Sequence, residues 1–262
     1  MRSSSSVSDR RTKPAAIFFF VATLVAVCSP LAAAEITVLA AGNMRLILDA
    51  LAPSFEQAHP HKLHLAYGPI LQAQERIARG EAADLVILPR AQIDALASAG
   101  KLGSVTDIAT SAILLVVRAG AEKPAIGNTE SLKRALLAAP SITYTDPDKG
   151  GLSGILFTQA VAKLGILPEV KAKTILSATG GAVADLVSKG GAALGAAQTG
   201  DVDFAKAGVD LVGKLPPDMA AGIVISAGIV ATGQQKEAAA SFVAFMKSPA
   251  ATAVIRAKGM DP

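Results

Sequence analysis

From residue 35 onward, short apolar runs alternate with stretches whose apolar positions recur at helical spacing. Residues 36–39 form a largely apolar run in which Ile36 and Val38 are β-branched aliphatics, as a strand buried on both faces of a parallel sheet requires, and Gly42-Asn43 breaks it. Met44, Ile47, Leu48, Leu51 and Phe55 then fall on one helical face, with Asn43 placed to cap that helix. A strand, tight turn and helix in this order leave unpaired N–H groups and the positive end of a helix dipole at the strand's carboxyl edge, which suits an anion. Alone, the same pattern is also no more than a capped helix.

The alternation continues. Strands are expected at 62–67, 83–88 and 112–118, with helices at 70–79 and 92–99. After the polar segment 120–129 come a helix at 131–138, a strand at 141–145, a turn-rich loop at 146–154 and a helix at 155–164. Strands at 192–197, 208–213 and 223–230 follow, then helices at 236–246 and 248–256. Strands and helices interleaved at such intervals predict an α/β fold, with each sheet mostly parallel and flanked by helices. The long apolar strands at 112–118 and 223–230 read as one outward and one return crossing, the hinge of a two-lobed clamp. The expected division is a first lobe of 35–116 plus 223–262 and a second lobe of 117–222.

Residues 1–34 read as an export signal: Arg10, Arg11 and Lys13 precede an apolar core at 15–27, and Ala32-Ala33-Ala34 supplies small residues for cleavage. A mature periplasmic chain starting at Glu35 is expected. The single cysteine, Cys28, leaves with the signal, so neither a disulfide nor thiol chemistry is available. Removing four cations (Arg2, Arg10, Arg11, Lys13) and one anion (Asp9) lowers the net charge from +4 to about +1. With no basic run, eight phenylalanines, two tyrosines and no tryptophan, nucleic-acid binding is not expected.

In order, Ile36-Thr-Val-Leu-Ala-Ala41, Gly80-Glu-Ala-Ala-Asp-Leu85, Asp146-Pro147, Ser153-Gly154, Lys163-Leu-Gly165, Leu194-Gly195 and Lys247-Ser-Pro249 resemble the periplasmic molybdate-binding proteins of ABC transporters, within the wider type II solute-binding proteins. The resemblance spans nearly the whole mature chain. It implies a two-lobed type II periplasmic-binding fold and a monomeric receptor. Such a receptor captures a small oxyanion of the molybdate or tungstate kind, hands it to an inner-membrane ABC permease, needs no cofactor and is not an enzyme. It also implies a ligand-binding set of Asn43, Tyr67, Gly68, Ser153, Gly181 and Gln198. In that family the first two loops each offer a serine; here Asn43 stands at the first, and Tyr67-Gly-Pro-Ile70 has none at the second, while Gln198 takes the place of a tyrosine. Amides and a phenol accept as well as donate, so a different small anion or a polar organic solute is the alternative ligand.

Other constellations carry less. His59, His61 and His64 suggest a metal-ion receptor, yet they lie between a helix end and a strand without cysteine or a clear carboxylate, as a surface loop would. Arg45 and Arg90 each follow a strand's carboxyl end and are expected in salt bridges rather than on a ligand. Asp146-Pro-Asp148 reads as a turn. A hydrolase would need a histidine to partner Ser153, and none follows His64.

Overall fold

In the computed structural model, which describes Met1 and residues 33–204 and 206–262, the first apolar run forms β1 (Glu35–Ala41). The export signal expected at 1–34 falls almost wholly outside the described residues. β1 is buried on both faces: Ile36, Val38 and Ala40 join one apolar cluster, Leu39 and Ala41 another. A single 3-10 turn (Gly42–Met44) then leads into α1 (Arg45–Ala58), which buries Ile47, Leu48, Leu51 and Phe55. Each aliphatic side chain so buried is worth ~1.5–3 kcal/mol, which is why this spacing stays helical despite Pro53 within it.

β2 (Lys62–Gly68), α2 (Ile70–Ala78), β3 (Leu85–Pro89), α3 (Arg90–Ser98) and β4 (Leu102–Ser111) follow. β5 (Ile113–Arg118), α4 (Thr129–Ala138), β6 (Ile142–Thr145), α5 (Leu152–Lys163), α6 (Leu167–Lys171), β7 (Thr174–Ser177), α7 (Gly180–Ser188), β8 (Leu194–Gln198) and β9 (Val209–Lys214) come next. β10 (Ile223–Val230), α8 (Lys236–Met246) and α9 (Pro249–Ala257) complete the order. The strands form two five-stranded sheets, ordered β2-β1-β3-β10-β4 and β7-β6-β8-β5-β9. In each, three parallel strands are followed by one antiparallel strand and then by an edge strand that pairs antiparallel with it. An apolar cluster covers each face of each sheet, so the expected two-lobed α/β architecture is present, with two clusters per lobe.

β4 has no counterpart in the pattern-based reading, because its half-exposed run of Gly103, Ser104, Thr106 and Asp107 offers no apolar stretch. The chain changes sheets at Ala112, between β4 and β5. Residues 113–116, expected in the first lobe, therefore belong to the second sheet, where they pair with β8 and β9. The return runs through 215–222 into β10, which pairs with β3 and β4. At the crossing the buried Ser111 hydroxyl lies 2.9 Å from Thr199 Oγ1, which also accepts from the Ala112 N–H at 3.0 Å. Asp261 closes the same region: it pairs with Thr110 through both backbone groups, and its carboxylate accepts from Lys214 Nζ at 2.8 Å.

Within the first lobe, buried Asp84 acts as a clamp. Its carboxylate accepts from the Thr37 N–H and from the N–H groups of Gln234 and Gln235, each at 2.9 Å, tying β1 to the turn before α8.

The histidines depart from the expected surface loop. His59 ends α1 with its ring stacked on Phe55 at 4.6 Å, and His64 sits in β2 with Nε2 3.1 Å from Glu35. His61 is 3% exposed, and neither ring nitrogen has a hydrogen-bond partner among the described residues. The cause is its place against the Phe55 cluster, where packing outweighs the lost hydration. Among the described residues no three metal-ligating side chains converge. Burying unpartnered polar atoms costs on the order of 1–3 kcal/mol. His61→Leu, close in size and without polar atoms, is therefore expected to raise stability by about 1–2 kcal/mol in urea unfolding at pH 7.

Candidate functional site

The carboxyl ends of β1 and β2 in one sheet and of β6, β7 and β8 in the other meet at one cleft between the sheets, with a volume of about 340 Å³. Four helix starts line it: the turn into α1 at Gly42 and Asn43, α2 at Pro69 and Ile70, α5 at Gly151 to Ser153, and α7 at Thr179 and Gly180. The first N–H groups of each helix lack intrahelical partners, so the cleft carries a convergent positive field. Local capping trims this set. Thr179 Oγ1 accepts from the Ala182 N–H at 3.1 Å, and Thr145 Oγ1 accepts from the Gly154 N–H at 2.8 Å.

Two side chains inside the cleft lack partners. Asn43 is 6% exposed and Gln198 3% exposed, and neither Asn43 amide atom nor Gln198 Nε2 finds a hydrogen bond among the described residues. A buried amide left unpaired costs on the order of 1–3 kcal/mol, a cost a bound ligand would remove. The two amides come from opposite sheets, since Asn43 follows β1 and Gln198 ends β8.

The loop after Gln198 brings them together. Gly200 has φ of +89°, and a Cβ there would sit 2.2 Å from the Asn43 carbonyl oxygen. Only glycine fits both conditions. Asp201 follows, its N–H donating to the Gln198 carbonyl at 3.0 Å and its Oδ2 accepting from the Gln198 N–H at 3.3 Å. The carboxyl lies so close to Gly180 that any side chain on Gly180 would strike it. Burial pushes the Asp201 carboxyl up to about 7, and its hydrogen bond from Gln198 offsets this only in part.

Ser153 is buried in the cleft wall with its hydroxyl 2.7 Å from Thr145 Oγ1. Gly154 beneath it is obligatory, because a Cβ would fall 1.8 Å from the Thr145 carbonyl oxygen. Tyr67 lines the cleft, but its hydroxyl donates to Asp49 at 2.5 Å, and burial together with that carboxylate raises its pKa. The Arg45 guanidinium lies 4.2 Å from the centre of the Tyr67 ring.

Of the expected set, Asn43, Tyr67, Gly68, Ser153 and Gln198 thus line one cleft. Gly181 does not. Thr179 caps α7 so that Gly180 faces the cleft, while Gly181 lines a separate shallow pocket with Asp185 and Asp203. The cleft also takes in Arg45, Thr145, Asp146, Lys149 and Asp201. Arg45 was expected in a salt bridge, yet it joins the cleft, whereas Arg90 pairs with Asp94 at 2.6 Å and Asp107 at 3.0 Å. Asp146 shapes its turn as expected by accepting from the Asp148 N–H at 3.0 Å.

Two outcomes follow from this geometry. Between pH 4 and 7 folded Asp201 holds a proton that the unfolded chain has released, so its contribution to stability is lost as pH rises through about 7. Asp201→Asn should therefore be more stable than the parent at pH 8 and lose most of that advantage only by about pH 4. The gain has an upper bound on the order of 4 kcal/mol, readable in urea titrations at both pH values. Gly200→Ala should force the Gly200 loop off Asn43, lowering the melting temperature and weakening any ligand that needs both amides by about tenfold or more in calorimetry.

Residues 36–261 match the family model described as bacterial extracellular solute-binding protein. A curated aconitate isomerase from Pseudomonas sp. is 33% identical over 251 residues, covering 91% of this chain and 94% of that protein. Among solved structures, the periplasmic molybdate-binding protein of Azotobacter vinelandii is similar with a TM-score of 0.69 at 23% identity, covering 87% of this chain and 99% of that one. A sulfate-binding protein from Mycobacterium tuberculosis matches with a TM-score of 0.69 at 21% identity, covering 87% of each. These structures share the fold. With a match across nearly all the described residues and a cleft between two lobes, the chain belongs to the bacterial extracellular solute-binding proteins.

Proposed function

We propose that the protein is the periplasmic receptor of an ABC importer and that it closes its two lobes on a small carboxylic acid, which it delivers to an inner-membrane permease. The observation that carries this reading is the pair of buried, unpartnered amides of Asn43 and Gln198, one from each lobe, facing one cleft ringed by helix N-termini. A ligand that bridges them satisfies both lobes at once, which couples binding to closure.

A carboxylic acid fits the lining better than a tetrahedral oxyanion. Molybdate and an ionised carboxylate both present acceptors only, so the donors of this cleft suit either, and what separates them is extent: a multi-atom acid can place its charges away from the carboxyl groups that share the space. Here the Asn43 amide can accept as well as donate, and the carboxyl groups of Asp146 and Asp201 line the same space. Arg45 and Lys149 at the rim suit additional carboxylates. The cleft volume of about 340 Å³ equals roughly ten waters, room for a ligand larger than five heavy atoms. The relative named aconitate isomerase acts, by its name, on a tricarboxylate.

A thermal-shift comparison of the mature chain tests this with trans-aconitate, citrate, molybdate, tungstate and sulfate. Ligand at 100 times its dissociation constant adds ~2.7 kcal/mol, which for a chain of this length is a rise of about 5–10 °C. A rise with the carboxylates alone is expected, and it should vanish in Asn43→Ala. A rise with molybdate or tungstate alone would replace the carboxylic acid with an oxyanion. No rise with any of the five would remove the receptor reading.

A further inference from the structure

We propose that the cleft is also catalytic: Asp201 moves a proton along the carbon skeleton of an unsaturated polycarboxylate bound there, interconverting its double-bond isomers. This rests on the carboxylic-acid reading of the cleft and goes beyond capture.

The geometry supplies the parts. Asp201 lines the cleft one residue past the Gly200 contact with Asn43, and Gln198 N–H is the donor on its carboxylate. It therefore sits beside both unpartnered amides. Asp146, the other carboxylate lining the cleft, accepts from the Asp148 N–H and lies 3.6 Å from Lys149 Nζ. No histidine lines the cleft among the described residues. The charged groups facing Asp201 are Arg45, Asp146 and Lys149 across the cleft and Asp185, Asp203 and Lys206 in the pocket behind it. Burial brings the Asp201 carboxyl to about 7, where a side chain can both take and return a proton near neutral pH.

The step is balanced without a co-reactant. In a skeleton with a methylene carbon next to a C=C bond, ionised Asp201 removes one methylene proton. The C–H electron pair becomes a new C=C bond, the old π pair moves to the far carbon, and the adjacent carboxylate takes up the charge as an enolate. Asp201, now neutral, returns the proton to the far carbon. Nothing is oxidised or reduced, and the double bond has moved by one position. In aconitate the two end carbons carry equivalent substituents, so this shift exchanges cis and trans forms. Hydrogen bonds from the Asn43 and Gln198 amides and from the helix N-termini stabilise the charge that develops on the carboxylate oxygens. The same donors that hold the ligand thus acidify its methylene.

The test uses the mature chain with trans-aconitate in D2O, following isomer ratio and deuterium entry at the methylene by proton NMR, with calorimetry for binding. The parent protein is expected to convert the probe and to exchange its methylene proton. Asp201→Asn is expected to bind the probe within about threefold of the parent while conversion and exchange fall at least ~100-fold. Conversion at the parent rate in Asp201→Asn would overturn the role of Asp201. Loss of binding together with conversion in that variant would make Asp201 a ligand-holding residue and also overturn it. A parent that binds the probe but neither converts nor exchanges it overturns the activity and leaves the receptor reading standing. A parent that shows no binding in calorimetry overturns both.

Discussion

The close approach of Gly200 to the Asn43 carbonyl is the constraint on which the cleft depends. It is a contact between lobes, made where a left-handed backbone conformation lets the loop after β8 lie flat against the turn after β1. Any side chain at Gly200 would separate the sheets at this point. With the contact in place, the amides of Asn43 and Gln198 are held on facing walls, and Asp201 is delivered beside them. The Ser111, Ala112 and Thr199 hydrogen bonds stand next to it along the chain, so hinge and floor of the cleft form one structure.

That arrangement also settles the electrostatic character of the space. Four helix N-termini and two rim cations favour an anion, and a fully ionised Asp201 opposes it. The conflict is relieved in two ways: by protonation of Asp201, which its burial promotes, and by the distance a multi-atom ligand can place between its charges. A compact dianion can use only the first. The lining thus discriminates by ligand extent as well as by charge.

Much of the fold was legible because burial on both faces of a parallel strand leaves an uninterrupted apolar run. β1, β3 and β5 announce themselves in this way, and α1 does so by its spacing. β4 does not, since an edge strand exposed on one side tolerates Gly103, Ser104 and Asp107. Its absence from the pattern displaced the expected lobe boundary. In the cleft, Asn43 was legible from its turn after a strand, and Ser153 and Gln198 through the family resemblance. Gly181 was misplaced by one residue, because Thr179 rather than a later residue caps α7, and Tyr67 lines the wall with its hydroxyl turned to Asp49. Asp201 carried no local signal. A lone aspartate in a Thr-Gly-Asp loop is an ordinary turn until the fold buries it.

Receptor and enzyme differ here by less than the two words suggest. A binding protein of this kind must hold an anion with unpaired donors in a space that closes, and those are the conditions under which a carbanion next to a carboxylate is stabilised. What a receptor lacks is a group able to exchange a proton near neutral pH within reach of the ligand's carbon. Lys149 and Asp146 are turned to each other, with 3.6 Å between Nζ and the carboxylate. Asp201 differs because Gly180 leaves no side chain between its carboxyl and the helix backbone, and Gln198 gives it one weak donor rather than several. A glycine at position 180 is thus tied to proton chemistry by packing: a larger residue there would displace the carboxyl from the cleft while leaving the amides, and so would favour holding over turning over.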